Sequence, residues 1–170
     1  MNLTLLQRLR AMTPSRERLE ATPGLRRLVP HLSHPKLWQW SRRSVAMGLA
    51  VGLFVGLLIP VAQFVFAVAA AVCLRSNVAV AAAGTLVSNP LTVPPIYYAA
   101  YQMGAWATGT SAAEGMSLLD PLSLFEHVGS VGLPLFTGLT MTASMAALAS
   151  YVLVSRAWIW RVNLRRRGVR

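Results

Sequence analysis

Charge is almost absent from the middle of this chain, and this absence restricts its fold more than any other feature. Between residues 44 and 155 the only charged side chains are Arg75, Glu114, Asp120 and Glu126. Long uncharged, mostly apolar stretches are typical of segments that enter or cross a lipid bilayer. A helix satisfies its backbone hydrogen bonds within one segment. We therefore expect an all-α integral membrane protein.

Positive charge is concentrated at the two ends of the chain. Residues 1–43 have nine basic and two acidic side chains, and residues 156–170 have six basic ones. Lys and Arg in short flanking segments favour the cytoplasmic side of a membrane, and tryptophan marks the headgroup level. Two tryptophans flank the apolar region on each side, at Trp38 and Trp40 and at Trp158 and Trp160. We expect both termini to be cytoplasmic, with the bilayer and its anionic headgroups as partners.

Prolines and polar residues divide the chain into segments. The prediction is a basic interfacial helical segment over 1–43, a membrane domain over 44–155 and a basic cytoplasmic tail over 156–170. The apolar segments of the membrane domain are 44–59, 61–74, 78–88, 91–107 and 131–155, with an outward loop over 108–130. A proline such as Pro60 removes a backbone donor and clashes with the preceding turn. The helices are therefore expected to be proline-broken or re-entrant.

Two cytoplasmic termini require an even number of crossings. In one arrangement, residues 44–74 form a re-entrant hairpin and 78–107 cross once. In the other, 44–74 supply two crossings and 78–107 a third. In both, 131–155 cross back and Arg75 lies toward the cytoplasm. The remaining alternative has three crossings and one basic end outside.

Glycine recurs every four residues in the first apolar segment, at Gly48, Gly52 and Gly56, and Pro60 continues the interval. Such spacing lets another helix approach closely, which is a principal source of attraction between helices in lipid. The partner is either another segment of the same chain or a second copy of it.

Polar residues accompany the breaks between apolar segments. Backbone groups freed at membrane depth are tolerated only where protein or water satisfies them, and broken helices form the central sites of many transporters. The candidate polar membrane site consists of Gln63, Arg75, Asn77, Ser88, Asn89, Pro90 and Thr92. Arg75 would attract an anionic group. Two alternatives are open: Arg75 caps a surface loop, and residues 88–92 form a purely structural turn.

The sequence gives little support for catalysis. His31 and His34 have no further metal ligands nearby in the sequence, and the adjacent Glu126 and His127 would point apart on a helix. Cys73 is the single cysteine, which excludes a disulfide scaffold. No common hydrolase or phosphate-loop motif occurs. We expect no enzymatic activity, metal, cofactor or nucleic-acid partner.

Four successive segments have a recognisable pattern. They are RRSVA at 42–46, the glycine run at 48–60, RSN at 75–77, and GTLVSNPLTVPPIYY at 84–98 followed by AAYQMG. Together they resemble the domain of unknown function 2062 family of bacterial membrane proteins over roughly residues 30–155, and SNPLT is the most specific part. PVAQ at 60–63 keeps the family's Pro-x-x-Gln spacing. The resemblance implies a bacterial inner-membrane protein without an established activity.

Two functions are compatible with these features. The leading hypothesis is a small bacterial inner-membrane protein that handles a lipid or small solute at the polar site between broken helices. The alternative is a non-catalytic scaffold or accessory subunit that binds partner helices, another membrane protein, a second copy of the chain or anionic lipids.

Overall fold

A computed structural model of the protein describes residues 34–110 and 128–167, and every regular element within those residues is helical. Its α-helices are α1 (Arg42–Leu58), α2 (Gln63–Cys73), α3 (Val78–Gly84), α4 (Val93–Thr108) and α5 (Val128–Arg167). Two 3₁₀ turns, Pro35–Trp38 and Thr85–Val87, precede α1 and follow α3. The all-helical prediction is confirmed for this part of the chain. Most of the predicted interfacial segment and of the loop over 108–130 lies outside the described residues.

Residues 44–74 form two helices rather than one long one. Ser41 begins α1 as its N-cap, since its hydroxyl accepts a hydrogen bond of 3.3 Å from the N–H of Ser44. α1 ends at Leu58, shortly before Pro60. The chain then reverses through Ala62, which has a left-handed φ of 56°. The direction of the chain is thus inverted before α2 begins.

A second reversal joins α2 to α3. The N–H of Arg75 donates to the carbonyl of Val72 at 3.2 Å, and the N–H of Ser76 donates to that of Ala71 at 2.9 Å. This pair of bonds is a Schellman motif, whose left-handed position is usually glycine. Here that position is Arg75, with a φ of 51°. At the end of α4 the same motif has Gly109, with a φ of 68°.

The glycines of α1 pack directly on α3. A Cβ atom added at Gly48 would lie 2.6 Å from a backbone oxygen of α3, too close for a real contact. The facing pairs are Gly48 with Asn77, Gly52 with Ala81 and Gly56 with Thr85. Both members of a pair advance by four residues at each step, so the two helices are parallel. α2 is the antiparallel return between them, and α3 of the same chain covers the glycine surface.

Apolar side chains fill the space among these three helices. One buried cluster joins α2 and α3 to the first 3₁₀ turn, and consists of Leu37, Val68, Ala71, Val78, Ala81 and Ala82. A second joins α1 to α2 and consists of Val51, Val55 and Ala67. The mostly small side chains match the short distances between the helices.

α5 packs against both α4 and α1. Gly104 of α4 lies against the carbonyl of Pro134, and Gly138 of α5 lies against that of Ala100, so α4 and α5 are antiparallel. α5 continues to Arg167, through most of the segment predicted as a separate tail. Within the described residues, one helical stretch, Gly132–Leu164, is long and apolar enough to cross a membrane by length and composition.

Candidate functional site

The structure divides the seven predicted site residues between the two ends of α1. Near its start, the N–H of Asn77 donates to the carbonyl of Ser44 at 3.1 Å. Near its end, the hydroxyl of Ser88 donates to the carbonyl of Gly56 at 2.6 Å. These two carbonyls are twelve residues apart on α1, which corresponds to about 18 Å. Arg75 and Asn77 are therefore separated from the rest of the predicted set.

The group at the end of α1 is bonded within the protein, except that the side-chain oxygen of Gln63 is buried and has no hydrogen-bond partner among the described residues. The side chain of Gln63 donates to the carbonyl of Ser88 at 3.4 Å, and the hydroxyl of Thr92 donates to that of Val87 at 2.5 Å. The side-chain oxygen of Asn89 accepts from the N–H groups of Leu91 and Thr92 at 2.9 and 3.1 Å. Pro90 is exposed in this turn. These bonds satisfy the backbone at the break before α4.

Asn77 is fully buried, and both the oxygen and the nitrogen of its side-chain amide form hydrogen bonds. Its oxygen accepts from the N–H of Val80 at 3.0 Å, which caps α3. Its nitrogen donates to the carbonyl of Gln39 at 3.0 Å. Together with the bond to Ser44, these contacts fasten the start of α3 to the start of α1 and to the segment before it.

Beside Asn77 lies a cleft with a volume of about 330 Å³, which we call the basic cleft. It is formed by the first 3₁₀ turn, the first turns of α1 and the reversal between α2 and α3. Its lining residues are Lys36, Gln39, Ser41, Arg43, Ser44, Met47, Leu74, Arg75 and Ser76. Three of these side chains are cationic, and all three are exposed.

The charge of the basic cleft is not balanced by any carboxylate of the described residues, because the five Asp and Glu side chains all lie outside them. The first turn of α1 has Arg42 and Arg43 and no acidic residue. A helix N-terminus is the positive end of the helix dipole and normally favours acidic side chains. The cations therefore add to the dipole instead of offsetting it, which favours an anion at this end of the helix.

Ser44 contributes an unused polar group to the basic cleft. Its side chain is 9% exposed, and its hydroxyl oxygen has no hydrogen-bond partner within the described part of the chain. Buried hydroxyls are nearly always hydrogen-bonded. The hydroxyls of Ser41 and Ser76, in contrast, each have a protein partner. Ser44 thus has hydrogen-bonding capacity that the described protein groups do not use.

The chemistry of the basic cleft suits anion binding. Among the described residues no group of three or more His, Cys, Asp or Glu side chains could hold a metal ion. The site predicted from the sequence includes Arg75 but not Lys36, Arg43 or Ser44, because the arginines of the first turn of α1 were counted only as flanking charge that favours the cytoplasmic side. Two arginines directly after an N-cap serine were the available signal, because basic residues are unfavourable at that end of a helix.

A family model described as an uncharacterized protein conserved in bacteria (DUF2062) matches residues 25–167. Neither the curated proteins nor the solved structures contain a match.

Proposed function

The chain belongs to the bacterial DUF2062 family, whose members are uncharacterised, and from that premise we propose that it is an integral inner-membrane protein that handles an anionic lipid or a small anionic solute at the basic cleft. The observation that carries this proposal is the cleft itself. Three cations line the same cleft as Ser44, whose hydroxyl is buried and unpartnered at the positive end of a helix. We expect binding rather than catalysis, because the residues that line the cleft include no general base or nucleophile with an activating partner.

The apolar surface of the protein supports insertion into a bilayer. Leu91 is 85% exposed and Trp106 is 81% exposed, and large apolar side chains are also exposed along α5, including Leu133, Phe136, Leu148, Val152 and Leu153. Apolar exposure on this scale marks an interaction with lipid or protein. The length of α5 supports one membrane crossing.

The helix lengths favour the re-entrant arrangement over four crossings. α2 has 11 residues and α3 has seven, which correspond to about 16 and 10 Å. A hydrocarbon core is about 30 Å thick. In our proposal α1 enters the membrane from the cytoplasmic side and α2 returns to that side. The segment that contains α3 and α4 crosses once to the outside, and α5 crosses back. Both termini and the basic cleft then lie on the cytoplasmic side.

The scaffold function is a second candidate. Its predicted glycine surface is covered by α3, so a partner helix would need a different surface. The last turns of α5 offer one, since Ile159, Trp160 and Leu164 are exposed there. This candidate predicts that Trp160→Gln impairs function more than Arg75→Gly does.

Cysteine labelling tests the proposed function. On a Cys73→Ala background, single cysteines are introduced at Leu74, Thr110 and Ala157, which are all exposed. An impermeant thiol reagent is applied to right-side-out and to inverted vesicles. We expect Leu74→Cys and Ala157→Cys to react only from the cytoplasmic side, and Thr110→Cys only from outside. Release of the protein by alkaline carbonate would contradict membrane integration.

Protection of the same cysteine tests the ligand. We expect Leu74→Cys to react more slowly when the cleft is occupied by at least one member of a panel that comprises oleate, succinate, inorganic phosphate and phosphatidic acid. Ala157→Cys is the matched control and should react at an unchanged rate. If no anion of the panel slows the reaction at Leu74→Cys, the cleft is not an anion site and the proposed function is wrong.

A further inference from the structure

We propose that the basic cleft binds a phosphate group, with Ser44 and Arg75 as direct ligands. The phosphate belongs either to a lipid headgroup or to a soluble phosphate ester, since both present the same group to the protein. This inference rests on the proposed anion-binding function and names the chemical class of the anion.

The number and kind of cations favour phosphate over carboxylate. Lys36, Arg43 and Arg75 line one cleft, and the described residues provide no carboxylate to pair with them. A phosphate monoester has a charge of about −1.5 to −2 and three strong acceptor oxygens. Guanidinium groups match those oxygens with paired donors. A single carboxylate would leave much of the positive charge in the cleft uncompensated.

The start of α1 adds two further phosphate-binding features. The positive end of a helix is suited to phosphate groups. The hydroxyl of Ser44, in the first turn, is buried without a partner and lines the cleft. Its own N–H is already used by Ser41, so the hydroxyl is the group that Ser44 has left to donate. A phosphate oxygen would accept a hydrogen bond from this hydroxyl.

Arg75 occupies an unusual backbone position. Its φ of 51° lies in the left-handed region, where the same motif at the end of α4 has glycine. A side chain in that conformation costs roughly 1 kcal/mol relative to glycine, and the fold obtains no hydrogen bond from the turn that glycine could not supply. Ala62 has the same left-handed backbone, so the case for Arg75 as a ligand depends on its position in the basic cleft.

The size of the cleft limits what carries the phosphate. About 330 Å³ is near the lower end of ligand pockets, which span roughly 300–1,000 Å³. A phosphate with a glycerol-sized substituent fits this space. Met47 and Leu74 provide apolar contacts for the carbon atoms of such a substituent.

The test uses the purified full chain in phosphatidylcholine nanodiscs. Phosphatidic acid is added to the bilayer in one arm, and glycerol 3-phosphate or inorganic phosphate is added to the solution in the other. Oleate and succinate are the carboxylate counterparts for each arm. Native mass spectrometry measures lipid adducts, and calorimetry measures binding of the soluble probes.

Three variants separate specific binding from general attraction. We expect Arg75→Gly to weaken phosphate binding roughly tenfold or more, since a charge-assisted bond is lost, while thermal stability is kept or raised. Ser44→Ala removes a hydroxyl that has no protein partner and should weaken binding by roughly fivefold. Arg161→Gln removes one exposed positive charge from α5, outside the cleft, and should change binding by less than about twofold.

Each outcome has a defined meaning. Binding of phosphatidic acid alone supports the inference with a lipid as the source, and binding of the soluble probes alone supports it with a free ester as the source. If carboxylates bind as tightly as phosphates, the phosphate inference is overturned although the proposed anion-binding function stands. If no probe binds, both are overturned. Equal effects of Arg75→Gly and Arg161→Gln, or no effect of Ser44→Ala, would overturn the assigned ligands.

Discussion

Asn77 illustrates how a polar residue in an apolar sequence acquires a structural role. An asparagine two residues after an arginine suggests a binding site, yet both ends of its amide are bonded to the chain itself. The partners, Gln39 and Val80, are 38 and three residues away. The local bond follows from Asn being a favoured N-cap. The distant bond depends on how α1 and α3 meet, which one sequence does not reveal.

Replacement of Asn77 should destabilise the protein. Asn77→Ala removes the cap of α3, worth about 1 kcal/mol. It also removes the hydrogen bond to the carbonyl of Gln39, which contributes about 0.5–1.5 kcal/mol. Asn77→Ser keeps a cap acceptor and should recover part of the loss. Thermal unfolding in detergent measures both variants. Equal stability of the wild type and Asn77→Ala would contradict these assigned bonds.

A methyl group at Gly52 should be poorly tolerated. Its Cβ would overlap the backbone of Ala81, which cannot move without displacing α3. Gly52→Ala should therefore cost about 1–3 kcal/mol of stability, as over-packed sites do.

Gly132→Ala is the matched control for Gly52, because a Cβ at Gly132 meets nothing within 4 Å. It should be neutral or stabilising by about 0.5–1 kcal/mol, since alanine favours a helix. Unfolding titrations in mixed micelles compare the two variants. If both lose the same stability, the close contact between α1 and α3 does not exist.

The boundaries of the helices follow unequally from the sequence. Pro60 predicts the break after α1, and Asn89 with Pro90 predicts the turn before α4, because both act through local backbone chemistry. Pro134, in contrast, does not end a helix, because α5 continues through it. The extension of α5 to Arg167 was also missed. Basic residues at a helix C-terminus are favoured by the dipole, so a charged tail and a helical end look alike in sequence.

The reversal between α1 and α2 contains a position where glycine should improve stability. Ala62 has a φ of 56°, and Ala62→Gly should stabilise the protein by about 1 kcal/mol because glycine adopts this conformation without strain. Ala99→Gly, at an exposed position in the interior of α4, should destabilise it by a similar amount. Opposite shifts of the unfolding temperature are expected. Shifts of the same sign would contradict the left-handed turn.

The basic cleft could not have been assembled from the sequence, because its cations belong to three segments. Lys36 precedes α1, Arg43 begins it, and Arg75 lies more than 30 residues later. Only the parallel packing of α1 and α3 brings the reversal beside the start of α1. The positive charge of each of these three segments is evident from the sequence. That Arg75 attracts an anion stays a prediction. No sequence pattern indicated a binding role for the hydroxyl of Ser44.

Hydrogen exchange should divide the whole molecule into a stable and a labile part. The amides of α1 and α3 lie in close backbone contacts and should exchange slowly. Residues 159–164, near the end of α5, are exposed and should exchange faster by about a hundredfold or more. Mass spectrometry of peptides from detergent-solubilised protein measures the difference. Equal protection would instead indicate that the end of α5 is covered by lipid or a partner.

The contact between α1 and α3 also limits how these helices can move. Its facing pairs repeat every four residues on both sides, so a slide of one, two or three residues would force a side chain of α1 against a backbone that has no room for it. A slide of four residues, about 6 Å, would restore a glycine opposite α3 but would break the bond between Asn77 and Ser44. α1 and α3 therefore have one favoured register relative to each other. If ligand binding rearranges these helices, the change must be a discrete jump between registers rather than a gradual glide.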